Sequence, residues 1–76
     1  MYLTELDVGG TARVVSLEQV PELAKKKLMV MGLLPDTIVE VVRLAPMGDP
    51  IQVRVRGFDV ALRRSLAAFI KVENND

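Results

Sequence analysis

Ile51-Gln52-Val53-Arg54-Val55-Arg56 alternates three apolar residues with three polar ones. An extended strand, whose side chains point to opposite faces in turn, puts the three apolar groups in a core and the three polar groups in water. Gly57 breaks the run, and Phe58, Val60 and Leu62 then alternate again as a second short strand. The chain that must accommodate this pattern has 76 residues, enough for one small domain spanning 1–76. A domain of this size buries only about 60% of its unfolded surface, so most apolar residues are needed inside.

The remaining elements follow from local signals. Leu3-Thr4-Glu5-Leu6 reads as a turn pinning the N-terminus by two leucines, and Asp7-Val8-Gly9-Gly10 breaks the chain before a strand at 11–17. A helix is expected over 21–31, with Pro21 near its start and Gly32 just past its end. Leu23, Ala24, Leu28 and Met31 would form its apolar stripe, with Glu22, Lys25 and Lys26 in water. Residues 37–44, rich in branched side chains, read as a strand buried on much of both faces, followed by a turn at Pro46, Gly48, Asp49 and Pro50. A helical turn at 63–68, with Ser65 as its cap, precedes a last strand at 69–73 with Ile70 and Val72 pointing inward. Asn74-Asn75-Asp76 reads as a polar tail. Five short strands with tight corners in so short a chain point to a small barrel, in which closure removes exposed edges. With one Tyr, two Phe and no Trp, its core must be built from Leu, Ile, Val and Met.

Several kinds of chemistry are excluded. The chain has no Cys and no His, so it has no thiolate, no imidazole ligand and no histidine base. Thr4, Thr11, Ser16, Thr37 and Ser65 form no recognisable pair with an activating base, and Gly9-Gly10 lacks the Gly-Lys-Ser/Thr ending of a phosphate loop. No catalytic residue and no cofactor is assigned. For a metal only Asp and Glu remain; the closest are Glu5 with Asp7 and Glu18 with Glu22, read as solvated acids rather than a tight metal site. Ten Lys and Arg balance ten Asp and Glu, which argues against a general affinity for polyanions. Arg54, Arg56, Arg63, Arg64 and Lys71, opposed only by Asp59, make a local basic excess. Phe58 and Phe69 are assigned to the core, however, so nucleic acid finds no stacking platform. No leader peptide is visible, and the longest apolar run, residues 28–34, is too short for the roughly 20 residues a membrane span needs. The expectation is a cytoplasmic domain.

Four motifs, in order, resemble a known family: Leu28-Met29-Val30-Met31-Gly32-Leu33-Leu34-Pro35, then Ala45-Pro46-Met47-Gly48-Asp49-Pro50-Ile51, then Val55-Arg56-Gly57, and Ala61-Leu62-Arg63 ahead of Ile70-Lys71-Val72. They are similar to the FeoA family, a small cytoplasmic component of bacterial ferrous iron uptake. Its SH3-like barrel also ends iron-dependent repressors. The resemblance implies a mainly β fold: a five-stranded SH3-like barrel with one α-helix after the first strand and a short helical turn before the last. It also implies an accessory, non-enzymatic role on FeoB, the membrane transporter for Fe(II), whose assembly or activity it would modulate. The membrane would be reached only through that partner. The alternative is a stand-alone regulatory module related to the repressor domain, contacting a regulator or nucleic acid. The chain departs from the family at Asp36, where Gly is usual, and at Lys25, Lys26 and Lys27, where Arg is common.

Protein docking fits the residues best. Met29, Val30, Leu33 and Leu34 cannot all face inward from one short helix and its exit, and an apolar patch left at the surface marks an interaction site. Met47, at the tip of the central turn, is a second exposed candidate. The expected contact is FeoB or a second copy of this chain.

Overall fold

The computed structural model describes residues 1–75. Strands β1 (Thr11–Ser16), β2 (Ile38–Leu44), β3 (Ile51–Val55), β4 (Phe58–Leu62) and β5 (Lys71–Asn74) form one antiparallel sheet in the order β4-β3-β2-β1-β5. Helix α1 (Glu22–Val30) connects β1 to β2, and the short α2 (Arg64–Ala67) lies between β4 and β5. A single 3-10 turn, Leu3–Glu5, precedes β1 and carries the fully buried Leu3. The element types and their order are those expected. Of the supposed polar tail, Asn74 is instead the last residue of β5, opposite Ala12, and Asp76 lies outside the described residues.

The β3–β4 hairpin shows how the alternation acts. Val55 and Phe58 pair across the two-residue turn Arg56-Gly57, whose φ angles of 52° and 85° are both positive. A turn of that hand matches the right-handed twist of the strands. Ile51, Val53 and Val55 are buried, while Arg54 stays on the solvent face. There Arg54 Nε donates to Asp59 Oδ1 at 2.8 Å, directly across the ladder. This hydrogen bond, ahead of the guanidinium charge, holds the Asp59 carboxyl below its ordinary range and raises Arg54.

Inside the curled sheet, Val14, Val39, Val41, Val53 and Ile70 pack with Leu28 and Leu33 from the helix and its exit. Contrary to the expected core composition, no methionine joins this cluster. Met1, Met29, Met31 and Met47 are all exposed, because they sit at the terminus, on the outer side of α1 and on a turn tip. The helix stripe also differs. Leu28 is buried and Ala24 half-buried, but Leu23 is 81% exposed and Met31 lies outside the core. The nine-residue helix touches the sheet along a narrow line, and Leu17 and Val20 before it, with Leu33 after it, fill the space the stripe was expected to fill. β2 is buried on one face only: Val39 and Val41 point inward, whereas Ile38 is exposed.

The barrel forms without a β4–β5 ladder, so its two edge strands are handled differently. The outer edge of β5 is covered by the N-terminus: the Val72 N–H donates to the Met1 carbonyl at 2.9 Å, and the Leu3 N–H to the Ile70 carbonyl at 2.9 Å. Among the described residues, the outer edge of β4 has no backbone partner.

The central turn is tied to α2. Asp49 Oδ1 accepts the Arg64 N–H at 2.8 Å, and Arg64 Nε donates to the Gly48 carbonyl at 3.1 Å. The cap of α2 therefore comes from 15 residues upstream, not from Ser65. Helix caps of this kind are worth about 1 kcal/mol. Asp49→Ala is expected to lower the melting temperature by about 4–8 °C, and Asp49→Asn, which keeps an acceptor, by less. Thermal denaturation that does not separate the three proteins would remove this contact from the stability of the fold.

Candidate docking surface

The end of α1 sets the geometry of the surface. The Leu33 N–H donates to the Leu28 carbonyl at 3.0 Å and the Gly32 N–H to the Met29 carbonyl at 3.1 Å. This paired arrangement stops a helix with a left-handed residue, here Gly32 at φ 98°, and brings the residue after the glycine against the last turn. Leu33 is thereby folded back onto Leu28, and its exposure is 0%. The expectation that Leu33 contributes to a docking surface is corrected: its side chain belongs to the core. Leu34 is half-buried. Met29 is exposed and Val30 is 88% exposed.

Met29 and Val30 lie on different sides of the helix exit. Met29 faces a shallow depression shared with Val15, Lys25 and Pro35. Val30 and Met31 face the β3–β4 hairpin and line a groove with Gly32, Arg56, Phe58 and Val60. The approach is close: a side-chain carbon added at Gly32 would sit 3.5 Å from Arg56 Cδ and 3.6 Å from Val55 Cγ1. Met47 is 92% exposed, but it precedes β3, whereas the hairpin turn follows it. The length of β3, about 17 Å, therefore separates it from the groove. The structure does not bring Met47 together with Met29 and Val30.

Sequence reasoning missed Phe58 and Met31 as surface residues, while Val60 is half-buried against the core. Phe58 is 73% exposed, although it was assigned to the core. It lies on the core-facing side of β4, next to Val55, but beyond the end of the packed interior. Phe69 is also exposed. The available signal was position: Phe58 directly follows a hairpin turn, where the sheet runs out and nothing lies above it.

Basic groups frame the groove. The stems of Lys26 and Lys27 extend its apolar wall beside Val30 and Met31. Among the described residues, the ion pairs are Arg13 with Asp36 and Glu73, Lys25 with Glu22, and Arg54 with Asp59. Lys26, Lys27 and Arg56 take no part in them. Asp36, where the family pattern has Gly, adopts the left-handed conformation at φ 71°, and its N–H donates to the Val14 carbonyl at 2.7 Å. No group of three or more Asp and Glu side chains that could hold a metal ion occurs among the described residues.

A family profile for the FeoA domain matches residues 1–74. The chain belongs to the FeoA family. A curated relative is the Fe(2+) transport protein A/Fe(2+) transporter FeoB fusion protein of Porphyromonas gingivalis, 37% identical over 73 residues. That match covers 96% of this chain and only 8% of the fusion protein, so the chain spans a small fraction of that relative's length. Among solved structures, FeoA from Chlorobium tepidum superposes with a TM-score of 0.95 at 36% identity, covering 100% of this chain and 71% of that one. The zinc complex of FeoA from Stenotrophomonas maltophilia, described as a procaryotic SH3 domain protein, gives 0.83 at 30% identity, covering 96% and 89%. The fold alone is shared with the T. acidophilum repressor IdeR, at 21% identity and a TM-score of 0.86 over 99% of this chain and 34% of that one. The FeoA family is thus tied to ferrous iron transport, and the SH3-like barrel is established for this chain. No helix among the described residues is long and apolar enough to cross a membrane.

Proposed function

We propose that this FeoA-family chain is a non-enzymatic accessory of ferrous iron uptake that docks on an FeoB-type transporter at its cytoplasmic side and modulates its assembly or activity. The observation that carries the reading is the Porphyromonas gingivalis fusion, in which a homologous segment shares one polypeptide with the transporter. Covalent linkage raises the effective concentration of two modules for one another, which favours pairs that already touch. The S. maltophilia relative is likewise proposed as an activating factor for ferrous iron transport. The contact runs through the exposed residues at the end of α1, Met29 and Val30, with Leu34 at its margin; Met47 is a separate contact at the far end of the hairpin. A docked module acts by its difference in affinity for two states of the partner, so it needs no chemistry of its own.

The test is co-purification of the full chain with the detergent-solubilised FeoB-type transporter of the same organism, together with Fe(II) uptake by cells lacking the chain. Retention of the chain and reduced uptake are expected. Failure to bind the transporter, or unchanged uptake in the deletion strain, would overturn the reading.

A further inference from the structure

We infer that the groove between the end of α1 and β4 receives an extended, acidic segment of the partner protein, which adds to the free edge of β4 as a sixth strand. The inference rests on the docking role proposed above and specifies where and by what chemistry it occurs. Three independent features of the surface converge on it.

The first is the edge itself. Because Val55 and Phe58 flank a two-residue turn, they form a hydrogen-bonded pair, and so do Val53 with Val60 and Ile51 with Leu62. The amides of Asp59 and Ala61 therefore point away from β3. No other backbone group meets them among the described residues. An unpaired row of this kind is a template for an incoming strand, and the N-terminus has already covered the corresponding edge of β5.

The second is apolar. Phe58 and Val60 lie on the core-facing side of β4, opposite Val30 and Met31 across the groove. A strand laid along β4 would place alternate side chains on this same face, between the helix end and the sheet. Burying an aromatic that is 73% exposed and a valine that is 88% exposed supplies the apolar drive for binding.

The third is charge, which selects the occupant. Lys26, Lys27 and Arg56 surround the groove and have no ion-pair partner among the described residues. The carboxylate on the edge strand, Asp59, is held by Arg54 and Gln52 on the opposite face. The groove therefore presents net positive charge next to apolar surface, and a segment with apolar residues between Asp or Glu side chains complements both. A second copy of this chain would bring three like charges onto three, which disfavours it.

The experiment measures binding of the full chain to the detergent-solubilised FeoB-type transporter at two salt concentrations, with four variants. Val30→Asp puts a charge in the apolar wall, and Lys26→Glu with Lys27→Glu reverses the rim; both sites are exposed, so the fold is retained. Ala61→Pro removes one outward N–H, a substitution that edge strands tolerate. Val8→Asp places the same charge at an exposed valine outside the groove. The first three are expected to weaken binding at least tenfold, or about 1.4 kcal/mol, with Val8→Asp unchanged and wild-type affinity falling as salt rises. Amide exchange at Asp59 and Ala61 should slow in the complex, a readout that keeps the edge testable if Ala61→Pro fails to fold. Wild-type binding that survives the groove variants, or unaltered exchange at Asp59 and Ala61, overturns this inference while leaving the docking role intact. Absence of wild-type binding overturns both. A concentration-dependent dimer abolished by Val30→Asp would assign the groove to a second copy. Capture of a single-stranded oligonucleotide lost with the lysine reversal would assign it to nucleic acid. Either result overturns the inference.

Discussion

Leu33→Asp is expected to leave no cooperatively folded protein at room temperature, whereas Val30→Asp, three residues away, should fold with nearly the wild-type melting temperature. A chain of 76 residues has a total stability on the order of 4–11 kcal/mol, at 0.05–0.15 kcal/mol per residue. Removing a fully buried leucine costs about 2–5 kcal/mol of that. A carboxyl group placed where Leu33 meets Leu28 adds the cost of burying a polar group without a partner, roughly 1–3 kcal/mol or more. Together these consume most or all of the available stability. Val30 has 88% of its surface in solvent, so a carboxylate there remains hydrated. Its position in the last turn of α1 works mildly against the helix dipole, an effect of about 0.5 kcal/mol. Far-UV circular dichroism and urea titration distinguish the two. A cooperative transition for Leu33→Asp near the wild-type midpoint would show that the burial of Leu33 against Leu28 is not what holds the helix exit to the sheet.

That contrast marks where the sequence was legible. Strand alternation at 51–55 and 58–62 fixes period, face and hairpin, because a side-chain period of two has one geometric meaning. Gly32 marks the helix stop for an equally local reason. The same glycine also carried the information that was overlooked: a residue directly after a left-handed helix stop packs back onto the last turn, which assigns Leu33 to the core and leaves Val30 outside. Phe58, Leu23 and Met31 were misplaced because hydrophobicity states what a residue would gain by burial, not whether anything lies above it. A core of Val, Leu, Ile and Ala side chains was already filled. The cap of α2 was illegible for a different reason, since Asp49 and Arg64 meet only through tertiary structure. The groove itself belongs largely to this class: Val30 was expected at a docking surface, but Lys26, Arg56 and Phe58 join it only once α1 ends beside the hairpin.

Leu3→Ala is expected to lower stability by about 2–4 kcal/mol and the melting temperature by about 10 °C or more. Leu3 is fully buried, and it holds the segment that covers β5: its N–H donates to Ile70, and two residues earlier the Met1 carbonyl accepts the N–H of Val72. With the side chain truncated, the hydrophobic anchor weakens, and these backbone bonds lose their support together. Amide exchange of Val72 should then accelerate more than that of Val53, which is paired within the sheet on both sides. The wider effect concerns which edge is open. Among the described residues of the wild-type chain β5 is blocked and β4 is not, so an incoming strand has one place there to add. Loosening residues 1–3 exposes a second row of unpaired backbone groups, with Val72 on its inner face. Two open edges on one molecule permit head-to-tail growth, whereas a single one permits at most a closed pair. Leu3→Ala is therefore expected to self-associate as its concentration rises, in sedimentation runs where the wild-type chain stays uniform. Equal melting temperatures for the two proteins would show that the N-terminal segment does not hold the β5 edge closed.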